Sequence, residues 1–277
     1  MTLSERNIIF KAGIAVSFLF LVLCVAGSFK AIPVYASMEQ EITRHSEGVF
    51  RFLAGRFLTA KLPAVHCCIL VMVLYSFFTI IFIYYFFEKT QSPEILFIVF
   101  FVASFSTEAM RLIIPLGHVY DLPLLYFLIS SRIILFGRFF GIFSIFAASL
   151  YAVGYETQRQ NNVILILIVI SLIISLGVPI DTHAWNSSLN MIKGYVSMFR
   201  LIEIGTFLVT TISFFIAVWL RSTGEFSYIG AGSVLVFLGR DILLNTDTWA
   251  GPPAGLIFLS VGTWLICTKL HKIYLWH

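Results

Sequence analysis

Apolar residues run along this chain in long blocks separated by short polar stretches. The blocks cover residues 12–29, then about 64–87, 94–116, 122–150, 162–180, 196–220, 226–245 and 253–274. An α-helix rises about 1.5 Å per residue, so blocks of this length cross a hydrocarbon core of about 30 Å. The pattern predicts an all-α, polytopic transmembrane helical bundle of about eight helices. The connections at 88–93, 117–121 and 154–159 are short, which forces neighbouring helices to run antiparallel and gives an up-and-down bundle. Residues 181–195 read as a longer polar loop carrying Asp181, His183, Trp185, Asn186 and Lys193.

One membrane domain follows, in three parts: a first helix at 1–29, an outward-facing segment at 34–62, and a seven-helix bundle at 64–276. Arg6 and Lys11 precede the first block, and Lys30-Ala31-Ile32-Pro33 reads as its exit from the membrane. The block is long for the apolar core of a cleaved signal, which predicts a retained helix. In the outward segment Met38, Ile42, Val49, Phe52, Leu53 and Phe57 recur at helical spacing against Glu39, Glu41, Arg44, Glu47, Arg51 and Lys61. That pattern predicts an amphipathic helix on the outer leaflet or over the bundle. With the N-terminus inside, the inner loops carry Arg6, Lys11, Lys89, Arg159, Arg221, Lys269 and Lys272. The outer basic residues other than Lys193 are Lys30, Arg44, Arg51, Arg56 and Lys61, all of the one long loop. This distribution predicts both termini in the cytoplasm.

Composition sharpens this picture. The chain is 59% hydrophobic and 12% charged, against roughly 25% charged in soluble domains. Its net charge of +4 comes from scattered basic residues, which excludes nucleic acid as a partner and leaves the lipid bilayer as the first one. Cys24, Cys67, Cys68 and Cys267 all lie in apolar blocks without a CxxC spacing and read as packing thiols. Gly251 and Gly255 have the spacing of a close-packing pair of helices.

Charges inside the blocks carry the candidate chemistry. Glu108 and Arg111 stand three residues apart in the third crossing, and Arg200 with Glu203 repeats that pairing in the sixth. An ionised group at such depth costs about 2.5–3.5 kcal/mol on insertion scales, so these side chains are expected to face protein or a watery cavity. With Arg132, Arg240 and Asp241 they occupy one slab in the outer half of the bundle. Glu108, Arg111, Arg132, Arg200, Glu203, Arg240 and Asp241 therefore form either a structural charge network or a ligand pocket. In a pocket, an unpaired guanidinium would await a carboxylate or phosphate. Arg138 reads as deeper and on a different face from Arg132, outside that set. A second group, His118, Asp121, Asp181 and His183, has the ligand types of a zinc site and lies in two outer loops. No cofactor motif is present: the last block lacks a mid-helix Lys for retinal, and there is no GxSxG or Walker sequence.

A first helix, an outward segment and seven crossings form the layout of this chain. The run from Cys68 through 88–93 to Pro115 is similar to an opening helical hairpin. In these features the chain resembles the seven-helix sensor module of bacterial diverse intracellular signalling proteins. The resemblance implies a stand-alone receptor or a partner subunit working with another membrane protein in a bacterial cytoplasmic (inner) membrane, while the arginines of the pocket make a small anionic ligand its expected occupant. A small transporter or scaffold subunit is the alternative, followed by a metal-dependent hydrolase.

Overall fold

The computed structural model describes residues 2–35, 61–90, 92–221 and 223–275, with the side chains of His118, Thr157 and Leu275 excepted. The amphipathic reading of 34–62 falls, for 36–60, outside the described residues.

Among the described residues eight helices are long and apolar enough to cross a membrane, and they fall on the eight apolar blocks. The first, α1 (Leu3–Ala31), starts well before its block because Thr2 and Glu5 close a capping box. The Glu5 backbone N–H donates to Thr2 Oγ1 at 3.3 Å, and the Thr2 N–H donates to Glu5 Oε2 at 2.7 Å. Arg6, expected as a flanking charge, is buried instead. It donates to the carbonyls of Phe87 at 2.6 Å, Glu88 at 3.2 Å and Thr90, closing the end of α2 (Leu62–Phe87).

The third crossing is not one regular helix. It runs as α3 (Pro93–Ser104), a 3₁₀ segment (Phe105–Leu112) and α4 (Ile113–Tyr120). The Ser104, Ser106 and Thr107 hydroxyls each donate to a carbonyl three residues back, Phe101, Ala103 and Ser104, at 2.6, 2.7 and 2.7 Å. These bonds compete for backbone acceptors in the stretch where the helix tightens. In a 3₁₀ turn residues three apart eclipse, so Glu108 and Arg111 stack on one line. This crossing is the centre of the bundle: 72% of its most apolar window is buried, the largest share of the eight. Helices α1, α2 and α5 (Leu124–Val153) surround it.

The chain continues through α6 (Gln160–Gly177), α7 (Val196–Arg221), α8 (Glu225–Asn245) and α9 (Gly251–Leu275). Helices α8 and α9 meet backbone to backbone. A Cβ added at Gly239 would lie 2.9 Å from the Gly255 carbonyl, and one at Gly232 would lie 2.9 Å from the Gly262 carbonyl. Helices α6 and α7 pack on α5 and turn Leu165, Ile173, Leu208 and Trp219 outward, as helices in contact with a bilayer do.

Residues 181–195, read from sequence as a loop, form a hairpin. Strand β1 (Ile180–Trp185) pairs antiparallel with β2 (Met191–Lys193), with an irregularity between Asp181 and Trp185. Asn186 closes the turn: its N–H donates to the Asn190 carbonyl and its Oδ1 accepts from the Asn190 N–H, both at 2.9 Å. Leu189 adopts φ 51° there and is fully buried.

Candidate functional site

The glycine pair Gly137 and Gly141 brings α5 against the 3₁₀ segment. A Cβ at Gly137 would lie 2.1 Å from Thr107 Oγ1, and one at Gly141 2.2 Å from Ser104 Oγ. This approach sets Arg138 opposite Glu108. Arg138 Nε donates to Glu108 Oε1 at 2.7 Å and its Nη2 to Oε2 at 2.8 Å, a two-point contact between a buried carboxylate and a partly buried guanidinium. Arg111 lies farther from the same carboxylate, Nη1 to Oε2 3.5 Å. Its Nη2 donates instead to the backbone carbonyls of Ser188 and, at 3.1 Å, Leu244. The pairing Glu108–Arg111 expected from sequence is thus the lesser half of a triad whose main partner is Arg138. The sequence reading sets Arg138 aside for its face, and that face is the one turned to Glu108.

Arg132 stands elsewhere. Its Nη1 donates to the carbonyls of Ser175 and, at 2.5 Å, Val178, where α6 ends. Six residues on a helix correspond to a turn of about 120°, so α5 directs Arg132 to one neighbour and Arg138 to another. Arg132 closes a helix end and is not part of the charge cluster.

The triad is tied to the hairpin. Arg138 Nη2 donates to Asn190 Oδ1 at 2.7 Å, and Asn190 Nδ2 donates to the Ser188 carbonyl at 3.1 Å. Beyond it opens a cavity of about 680 Å³ between the hairpin, α7 and α8, with Arg138 in its wall. The other charges lining it are Lys193, Arg200, Glu203, Arg240 and Asp241. Arg240 Nη2 meets Glu203 Oε1 at 3.4 Å, and Asp241 Oδ1 accepts from Asn245 Nδ2 at 2.7 Å. Among the described residues Arg200 has no hydrogen-bond or ion-pair partner, and Lys193 has no carboxylate within ion-pair distance. Lys193 lies over the Phe199 ring at 6.0 Å. Burial, and then the nearby Arg138 guanidinium, push its amine down to about 8 against the opposing pull of Glu203 and Glu108. Lys193 was legible in the sequence only as a loop cation, since a polar loop does not show that it borders a cavity.

The second group behaves differently. Asp121 ends α4 at φ 46°, and Asp181 Oδ1 accepts from the His183 N–H at 2.9 Å on β1. Among the described residues no three His, Cys, Asp or Glu side chains group to hold a metal, and the His118 side chain lies outside them.

No family model matches the chain, and no solved structure matches it. It is similar to an uncharacterized protein of Treponema pallidum (strain Nichols), with 27% identity over 103 residues, 37% of this chain. The matched stretch spans 30% of that relative's length.

Proposed function

We propose that this chain is a receptor-like or accessory multi-pass protein of a bacterial cytoplasmic membrane. In this reading its cavity faces the periplasm and takes an anion, free or carried on a larger molecule. One observation carries it: Arg200 lines the cavity without a partner among the described residues, while Glu203 is already engaged by Arg240. Two cations open on one cavity, Arg200 exposed near the start of α7 and Lys193 half-buried on β2, suit a site that is completed by its ligand. Support for the compartment comes from the loop distribution of Lys and Arg and from the bacterial relative. The layout of seven crossings behind a first helix supports a sensor or a subunit of one.

The test is thermal stability of the purified protein and of Arg200→Gln and Lys193→Gln. Charges kept for a ligand contribute little to the empty fold, so both variants should match or exceed the wild-type Tm. Stabilisation by anions, whether inorganic phosphate or anionic phospholipid, should fall in both. A loss of Tm in either variant comparable to that of a broken buried ion pair would make these residues structural and overturn the reading.

A further inference from the structure

The cavity is graded along its length. Its α7 wall presents Arg200 near the hairpin, then Glu203 and Ile204, then Phe207. Seven residues of helix separate Arg200 from Phe207, a depth of about 10 Å. Helix α8 runs antiparallel beside it and repeats the gradient, from Asn245 and Asp241 at the hairpin end to Leu238 and Phe237 below. The Phe207 and Phe237 rings meet at 4.8 Å, which brings the two apolar ends together. Ile204 is 51% and Leu238 46% exposed, and both belong to helices of membrane-spanning length. The apolar end is therefore open sideways, towards lipid, whereas the cationic end lies beside the hairpin, with Lys193 half-buried and Arg200 exposed. At about 680 Å³ the space is also some twenty times the ~30 Å³ share of one water molecule, more than a phosphate or carboxylate fills.

Resting on the anion-binding reading above, we infer that the ligand is an anionic amphiphile. Its phosphate or carboxylate sits between Lys193 and Arg200, and its chain leaves between Ile204 and Leu238 along Phe207 and Phe237. The gradient matches a molecule that is charged at one end and apolar at the other, held with its head towards the membrane surface. A soluble anion has no use for the apolar wall of Ile204, Phe207, Phe237 and Leu238, and a neutral lipid has none for two cations. Asn186, Asn190 and Asn245 add hydrogen-bonding groups at the head end.

The protein in phosphatidylcholine nanodiscs provides the test, with Tm as the readout. The probes are dioctanoyl phosphatidylglycerol, its chain-free headgroup glycerophosphoglycerol, inorganic phosphate and dioctanoyl phosphatidylcholine. The expected result is a rise of several degrees with the short-chain phosphatidylglycerol alone. Arg200→Gln/Lys193→Gln should weaken that response at least tenfold. So should Leu238→Trp, which narrows the lateral exit at a position half open to lipid and therefore tolerant of the change. Equal stabilisation by glycerophosphoglycerol or phosphate would overturn the amphiphile and leave the anion site standing. Equal stabilisation by phosphatidylcholine, or a response to none of the probes, would overturn both. An unchanged response in Leu238→Trp would remove the proposed path of the chain.

Discussion

Replacing Glu108 by Gln isolates the charge triad from the rest of the bundle. The carboxylate is 1% exposed and accepts two hydrogen bonds from Arg138, at 2.7 and 2.8 Å, with Arg111 at 3.5 Å. The amide keeps the volume and removes the charge, leaving a buried and a partly buried guanidinium facing one another. Breaking a buried pair in this way costs about 3–5 kcal/mol. At about 2–4 °C per kcal/mol for large domains, the Tm in detergent should fall by roughly 6–20 °C. The two-point geometry assigns most of that loss to Arg138, so Arg138→Gln should cost more than Arg111→Gln. In the double variant Glu108→Gln/Arg138→Gln neither group is left to face an absent partner. The cycle should therefore show a coupling of about 1–3 kcal/mol, and a smaller coupling with Arg111. An additive cycle for Glu108 and Arg138, or an Arg138→Gln variant with wild-type Tm, would refute the pairing and the depth argument behind it.

Three further outcomes follow from the same geometry. Lys193 is neutral in the fold above about pH 8, whereas the unfolded chain holds that proton up to about 10.5, so the stability of the empty protein should rise with pH across that window. Anion binding should weaken as pH passes 8, and Lys193→Arg, which keeps its charge, should abolish that decline; titrations from pH 6 to 10 check both. Gly137→Ala should destabilise by about 1–3 kcal/mol, because its Cβ would lie 2.1 Å from Thr107 Oγ1, and Thr107→Ala should restore part of the loss in thermal melts. For topology, a cysteine at Ser46 on a cysteine-free background should react with an impermeant label in intact cells and one at Ser222 should not; the reverse pattern would turn the cavity towards the cytoplasm.

The crossings were legible in the sequence because each apolar block must satisfy its own backbone in lipid, and a helix does this locally. Two local features escaped. The tightening at Phe105–Leu112 depends on where three hydroxyls turn, which the apolar pattern does not record. The hairpin was masked by polarity, although Ile180, Thr182 and Ala184 alternate with Asp181, His183 and Trp185 ahead of the Asn186–Asn190 turn. Partner choice was the harder matter. The sequence places Glu108 and Arg132 in one slab and Arg138 deeper, but which face of α5 meets the third crossing is decided by Gly137 and Gly141. That four-residue spacing is as visible as that of Gly251 and Gly255, and it carries the pair that matters most for the triad.

The two walls of the cavity differ in how firmly they are held. Helix α8 is locked to α9 at Gly232 and Gly239, with 56% of its most apolar window buried. Helix α7 has 17% buried and no such seam, and the hairpin joins it through Lys193, Gly194 and Tyr195. Filling of the cavity should therefore move α7 rather than α8, and Arg221 at the far end of α7, whose Nη2 donates to the Tyr151 carbonyl at 2.9 Å, ties that helix to α5.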